Sequence, residues 1–159
     1  MAYSSKSVAA RFTQLATIKH TSLTQMQLQK LVYIAHGYKL ALTAGEPLVV
    51  NGVCAWQYGP VFPELYHSLK HYRDQGVPRF VETELLAPLD VSIITAVFNA
   101  YSHYSGVKLS QLTHMVGTPW YRTWHEGDGC NRPNTIIPDD VIMNYYRDLF
   151  AQNNTTAMA

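Results

Sequence analysis

Residues 24–42, TQMQLQKLVYIAHGYKLAL, carry the most strongly marked helix of the sequence and decide its fold class. Thr24 and Gln27 form the pattern of a capping box, and Leu23 and Leu28 are placed as the hydrophobic staple across it. Gly45 supplies a residue that readily adopts the left-handed conformation ending many helices. We therefore predict a helix from Thr24, whose buried stripe consists of Leu28, Leu31, Val32, Ala35, Tyr38 and Leu42.

The segment after this helix predicts a small β-hairpin. Two short apolar runs, Leu48 to Val50 and Val53 to Trp56, flank Asn51-Gly52, the pair best suited to the positive φ angles of a type I′ turn. An isolated hairpin is only marginally stable, so one of its faces should pack on helices. Trp56 and Tyr58 are the expected anchors.

Apolar residues that recur every three or four positions predict further helices in the rest of the chain. Gly59-Pro60 should end the strand before one of them, and Asp90 is a suitable N-cap for an uncharged helix that we expect at the centre of the fold. The region from Gly76 to Leu89 should be a surface loop. The further predicted helices are residues 8–19, 63–76, 90–104, 107–116 with Ser105 as cap, and a last one from about Pro138 to Phe150.

These segments together predict a mainly α protein, a compact bundle of about five to six helices with one small β-hairpin. The 159 residues, 47% of them hydrophobic, are enough to bury one core. We therefore expect a single domain over residues 1–159 with a disordered tail at 152–159.

Charge and composition argue against several classes of function. Twelve Lys and Arg balance eleven Asp and Glu, and the basic residues are scattered singly, so we expect no nucleic-acid partner. The sequence has neither a run of about 18 apolar residues nor a signal peptide, so we expect no membrane contact and a cytoplasmic location. Cys54 and Cys130 stand apart, which favours reduced thiols. The oligomeric state stays open, with a homo-oligomer among the options.

Two histidines have the spacing of a metal clamp. His67 and His71 lie four residues apart on a predicted helix, with Glu64 one turn earlier. Zinc needs a third and a fourth ligand, and the neighbouring sequence supplies no further Cys or His pair. Two partly exposed histidines beside an apolar stripe are therefore the better interpretation.

One cysteine could act as a nucleophile. Cys130 lies in a loop with two glycines nearby, and His114 or His125 could serve as its base. No established catalytic fingerprint accompanies this thiol. A small metal- or Cys-dependent hydrolase or transferase stays an alternative, but we expect no enzyme and no cofactor.

Aromatic side chains are the feature most typical of a protein-binding surface. Charged residues make up only 14% of the chain, whereas aromatics reach 12%, with eleven tyrosines. Tyr and Trp dominate binding energy at interfaces because they bury a large area at little cost in rotamer entropy. They are equally common in cores, so either role is open for Trp56, Tyr58, Tyr66, Tyr72, Trp120, Tyr121 and Trp124.

Three linked motifs resemble the SocA-like, phage-associated GepA or Panacea family. They are residues 28–37 (LQKLVYIAHG), 55–61 (AWQYGPV) and 66–72 (YHSLKHY). Residues 112–114 and 118–121 also fit the C-terminal half of that family, so the resemblance covers roughly residues 8–150. His36 stands where the family usually has Gln.

This resemblance implies an antitoxin domain of a bacterial or phage toxin–antitoxin pair, with no enzyme activity. The domain would neutralise its toxin by direct contact or, in the SocA branch, by delivering the toxin to a protease. The implied partner is a cognate toxin, either alarmone-synthetase-like or another inhibitor of translation or growth. The predicted contact residues are Trp56, Tyr58, Pro60, Phe62, Tyr66, His67, Lys70, Trp120, Tyr121 and Trp124.

Overall fold

The computed structural model describes residues 2–158, with side chains for residues 2–153. Its helices are α1 (Ser5–Ile18), α2 (Gln25–Leu42), α3 (Pro63–Leu69), α4 (Pro88–Tyr101), α5 (Gly106–His114), α6 (Pro119–Tyr121) and α7 (Asp139–Met158). Short 3₁₀ turns follow at Lys70–Tyr72 and Gly129–Asn131, and a π-helical turn spans Arg122–Glu126. The predicted mainly α class with a minor β part is confirmed.

The β part consists of two small antiparallel sheets. Strands β2 (Cys54–Trp56), β3 (Gly59–Val61) and β5 (Thr135–Ile136) form one sheet in the order β3-β2-β5. Strands β1 (Leu23–Thr24) and β4 (Gly76–Val77) form the other. The first sheet thus joins the middle of the chain to the segment just before α7.

Helix α2 is the centre of the fold. Its start is confirmed, because Thr24 and Gln27 exchange both bonds of the capping box, with the Thr24 N–H donating to Gln27 Oε1 at 2.8 Å. All ten residues from Leu28 to Gly37 are buried, and α1, α4, α5 and α7 pack around the helix. In the middle of α2 the buried residues therefore extend all round the helix, and not only along the predicted stripe. The stripe was wrong at its end, where Leu42 is 58% exposed. The sequence predicted that the helix after Asp90 would be central, but α2 occupies that position.

The hairpin forms at a different place from the predicted one. Trp56 pairs with Gly59, so the turn is Gln57-Tyr58, and Asn51-Gly52 precede the sheet. A type I′ turn needs positive φ at both central residues, and neither Asn51 nor Gly52 has it, whereas Gly59 has φ of 117°. Gly59 and Pro60 therefore belong to a strand instead of ending one. Pro60 is tolerated there because β3 lies at the edge of its sheet.

Asp90 is an interior residue of α4 and not its N-cap. Ala87 occupies the cap position, and Pro88 begins the helix. The buried carboxylate of Asp90 pairs with Lys39 and accepts a hydrogen bond from the hydroxyl of Tyr3 at 2.7 Å. A partner elsewhere in the fold thus overrode the local capping preference of an aspartate.

Helix α7 packs along α2. Tyr146 lies against Gly37, where a β-carbon would come within 2.3 Å of the tyrosine ring. Only glycine allows this close approach of the two helices. Residues 152–158, predicted to belong to a disordered tail, are helical backbone in α7, and Ala159 lies outside the described residues.

Candidate functional site

The backbone of residues 56–62, here called the hairpin joint, is held by side chains from the surrounding helices. The carbonyl oxygens of every second residue accept these bonds. The donors are Trp120 Nε1 to Trp56 at 2.6 Å, Ser110 Oγ to Tyr58 at 2.7 Å, Lys30 Nζ to Pro60 at 3.0 Å, and Gln29 Nε2 to Phe62 at 3.1 Å. The joint therefore presents its outward side chains from a backbone that is anchored at four points.

A wide groove opens beside the hairpin joint, with a cavity volume of about 950 Å³. We call it the aromatic groove. Its walls come from the start of α2, the hairpin, α3, the start of α5 and the loop before β5. The lining residues are Thr24, Gln25, Met26, Gln29, Lys30, Ala55, Trp56, Gln57, Tyr58, Val61, Tyr66, Arg73, Asp74, Ser105, Gly106, Val107, Trp124, Cys130, Asn131, Arg132, Pro133 and Asn134.

Four of the ten predicted contact residues meet in the aromatic groove: Trp56, Tyr58, Tyr66 and Trp124. Tyr58 is 68% exposed at the tip of the hairpin. The rings of Trp56 and Tyr66 pack edge to face with centroids 5.1 Å apart, and Trp56 Nε1 donates to Asn134 Oδ1 at 2.9 Å. Residues 78 positions apart in sequence are thereby joined at one wall.

Three predicted contact residues lie in the interior. Pro60, Phe62 and Trp120 are buried, and Trp120 stacks on Trp124 with ring centroids 5.6 Å apart. Their side chains support the groove from behind, so the contact surface proposed below does not include them. The sequence could not separate these supporting aromatics from the exposed ones.

The other three predicted contact residues lie outside the aromatic groove. His67 and Lys70 are exposed along α3 and the 3₁₀ turn that follows it. Tyr121 is half-buried, with its ring 4.4 Å from that of His125. These three residues are therefore neighbours of the groove and not part of its lining.

Lys30 is a charged lining residue that was not among the predicted contact residues. It is 3% exposed, and burial lowers the pKa of its amino group to about 7. The available signal was a charged residue between Leu28 and Leu31 on the most strongly marked helix of the chain. The groove also contains Arg73, Arg132 and one acid, Asp74, so its charged side chains are mainly basic.

Among the described residues, neither a metal clamp around His67 and His71 nor a Cys130 nucleophile with a histidine base is assembled. His67 lies on α3 but His71 falls in the 3₁₀ turn, and within residues 2–158 no three His, Cys, Asp or Glu side chains converge to hold a metal ion. Cys130 is exposed in the groove, while His114 and His125 pack their rings on Trp120. Burial raises the pKa of the other thiol, Cys54, which disfavours its thiolate.

Within the same described residues, none of the helices combines the length and the apolar character that crossing a membrane requires.

Comparison with known proteins identifies the family that the sequence motifs resemble. The family model described as "Antitoxin SocA-like, Panacea domain" matches residues 28–121, which contain α2 from Leu28 onward, the joint and most of the residues that line the groove. Antitoxin SocA of Caulobacter vibrioides (strain NA1000 / CB15N) is 26% identical over 155 residues, covering 89% of this chain and 81% of that protein. No solved structure matches the chain. The chain belongs to the antitoxin SocA-like family and carries its Panacea domain.

Proposed function

We propose that this protein is the antitoxin of a toxin–antitoxin pair and neutralises its toxin by direct contact through the aromatic groove. Family membership supports the antitoxin role. The observation that carries the binding site is the meeting of Trp56, Tyr58, Tyr66 and Trp124 in one groove of about 950 Å³. The proposed partner is a toxin that inhibits translation or growth, an alarmone-synthetase-like one included, and both proteins would meet in the cytoplasm.

The anchored backbone of the hairpin joint supports the binding of a protein partner. Its carbonyls are already bonded to side chains of α2, α5 and α6, so little backbone freedom is lost when a partner docks. Exposed aromatics on such a backbone are the residues that most often dominate binding energy. Tyr58, at the hairpin tip, is the leading candidate.

The test is co-expression with the product of the neighbouring gene. Wild-type protein should rescue growth and co-purify with that product. Tyr58→Ala should weaken binding by about tenfold or more, as expected for an aromatic hot spot. Ile18→Ala is the matched control, because Ile18 is also 68% exposed but lies at the end of α1, outside the groove. If wild-type protein neither rescues growth nor binds the neighbouring product, the proposal is wrong.

Two further measurements separate the alternatives. The cellular level of the toxin distinguishes steric inhibition by the antitoxin from delivery of the toxin to a protease. Delivery lowers that level, whereas steric inhibition leaves it unchanged. Cys130 lines the groove, but serine is nearly isosteric with cysteine, so a folded Cys130→Ser variant should still neutralise the toxin. The double variant His67→Ala/His71→Ala, outside the groove, should do so as well. Loss of neutralisation with retained toxin binding in any of these variants would favour the hydrolase or transferase instead.

A further inference from the structure

Helix α2 buries two lysines in different surroundings. Lys30 and Lys39 are each 3% exposed. Lys39 pairs with the carboxylate of Asp90. Within the described part of the chain, the ion pairs are Lys6–Glu64, His36–Asp139 and Lys39–Asp90, so Lys30 has no acidic partner there. Among the described residues, its amino group donates only to the carbonyl oxygen of Pro60, at 3.0 Å.

A buried ammonium without a counter-charge is costly. Removing a charge from water costs several kcal/mol unless a partner compensates it. An ammonium has three donors, and within the described residues Pro60 accepts one of them. Because burial disfavours the charged form, it lowers the pKa of Lys30 to about 7, so the amine loses its proton more easily. Lys30 is thus a buried amine whose remaining donors have no partner among the described residues.

Its surroundings leave access from the aromatic groove. Lys30 lines the groove together with Ala55 and Val61. Gly59 lies beside it, and a β-carbon there would come within 3.0 Å of Nζ. The absence of a side chain at Gly59 therefore lets the amino group lie this close to the hairpin backbone.

We propose that Lys30 anchors a carboxylate-binding subsite of the aromatic groove, which takes an aspartate or glutamate side chain on an apolar segment of the toxin. The incoming carboxylate gives Lys30 the partner that Asp90 gives Lys39. Charge complementarity supports an acidic ligand, because Lys30, Arg73 and Arg132 face a single acid, Asp74, among the lining residues. The aromatic walls accept the apolar neighbours of that carboxylate. That this segment belongs to the toxin rests on the proposed antitoxin function.

The subsite is tested without the toxin by two capped peptides, Ac-Leu-Asp-Phe-NH₂ and Ac-Leu-Asn-Phe-NH₂, titrated into the ¹⁵N-labelled protein. The Asp peptide should shift groove resonances and bind about tenfold or more tightly than the Asn peptide, since hydrogen bonds between charged groups are the stronger ones. Lys30→Met should abolish this preference, whereas Lys6→Met, at a surface ion pair outside the groove, should keep it. Equal affinity of the two peptides for wild-type protein, or binding of neither at millimolar concentration, overturns the subsite, and this readout does not need the variant to fold.

A second arm uses the toxin. Lys30→Met that keeps its folding cooperativity should bind the toxin about tenfold more weakly than wild type. If the variant binds the toxin as tightly as wild type, the role of Lys30 is wrong but the proposed antitoxin function is not affected. If wild type does not bind the toxin, the proposed function is wrong, but the peptide result still tests the subsite. Self-association of wild type that Lys30→Met abolishes would assign the groove to a second copy of this chain and overturn the toxin segment as its occupant.

Discussion

The side-chain amide of Gln29 brackets the backbone of Phe62 with two hydrogen bonds. Gln29 Oε1 accepts from the Phe62 N–H at 3.0 Å, and Gln29 Nε2 donates to the Phe62 carbonyl at 3.1 Å. All of these atoms belong to buried residues. The contact connects the first family motif, on α2, with the end of the hairpin joint and thereby sets where α3 begins.

Gln29→Leu should destabilise the fold strongly. The substitution roughly keeps the side-chain volume but leaves the N–H of Phe62 buried and unpaired, whereas the Phe62 carbonyl still accepts from the N–H of Tyr66 at 3.0 Å. We expect a cost of about 1–3 kcal/mol in the free energy of unfolding. Urea unfolding followed by circular dichroism measures the change. Gln111→Leu, at an exposed position of α5, is the control and should stay within about 0.5 kcal/mol of wild type. Equal effects of the two variants would contradict the structural role of Gln29.

Gly37→Ala should destabilise the contact between α2 and α7. Alanine normally stabilises a helix relative to glycine by up to about 1 kcal/mol. Here its β-carbon would lie 2.3 Å from the ring of Tyr146, so we expect overpacking to reverse the sign and cost about 1–3 kcal/mol.

A double variant isolates the cause of this effect. In the background of Tyr146→Ala the ring is absent, so Gly37→Ala should become neutral or stabilising. Thermal unfolding of the four proteins completes the cycle. Additive effects would show that the close approach of Gly37 and Tyr146 is not what requires the glycine.

Lys39→Met should be much more harmful than Lys6→Met. The first change leaves the buried carboxylate of Asp90 with the hydroxyl of Tyr3 as its remaining side-chain partner, and breaking a buried pair in this way costs about 3–5 kcal/mol. The second removes a surface pair with Glu64 at 3.8 Å, which is worth about 1 kcal/mol or less. The denaturation midpoints of the two variants provide the measurement. Similar midpoints would contradict the proposed difference.

The stability contribution of Lys30 should depend on pH. Burial lowers its pKa from 10.5 to about 7 in the folded protein. Between these two values the unfolded chain binds more protons than the folded one, so folding becomes more favourable as pH rises. Below about pH 7 both states are protonated, and the full cost of the buried charge is present.

Comparison with Lys30→Met isolates this effect, because other titrations are shared by the two proteins. From about pH 7 to pH 9, the unfolding free energy of wild type should gain on that of the variant by up to about 1.4 kcal/mol per pH unit. Urea titrations at half-unit intervals of pH measure the difference. A difference that is flat across this range would show that the Lys30 amine is not desolvated.

Two of the predicted helix caps, which rest on neighbouring residues, were correct, whereas the cap predicted at Asp90 was wrong. The capping box of Thr24 and Gln27 and the N-cap of Ser105 are both present, because each involves atoms only three residues apart. The resemblance carried by three motifs also led to the correct family. The hairpin prediction failed, since the turn preference of Asn51-Gly52 is weaker than the four side-chain bonds that hold residues 56–62.

The amino-acid sequence by itself determined the helical class, the start of α2 and the family, because periodicity, capping and motif order are properties of the chain. Only the tertiary structure decided which aromatics face outward. Phe62 and Trp120 became supports, whereas Trp56, Tyr58 and Tyr66 line the groove. It also decided that Lys39 meets Asp90, whereas Lys30 meets no acid in the part of the chain that the structure describes. Burial and charge pairing depend on contacts between residues far apart in sequence, which local patterns do not encode.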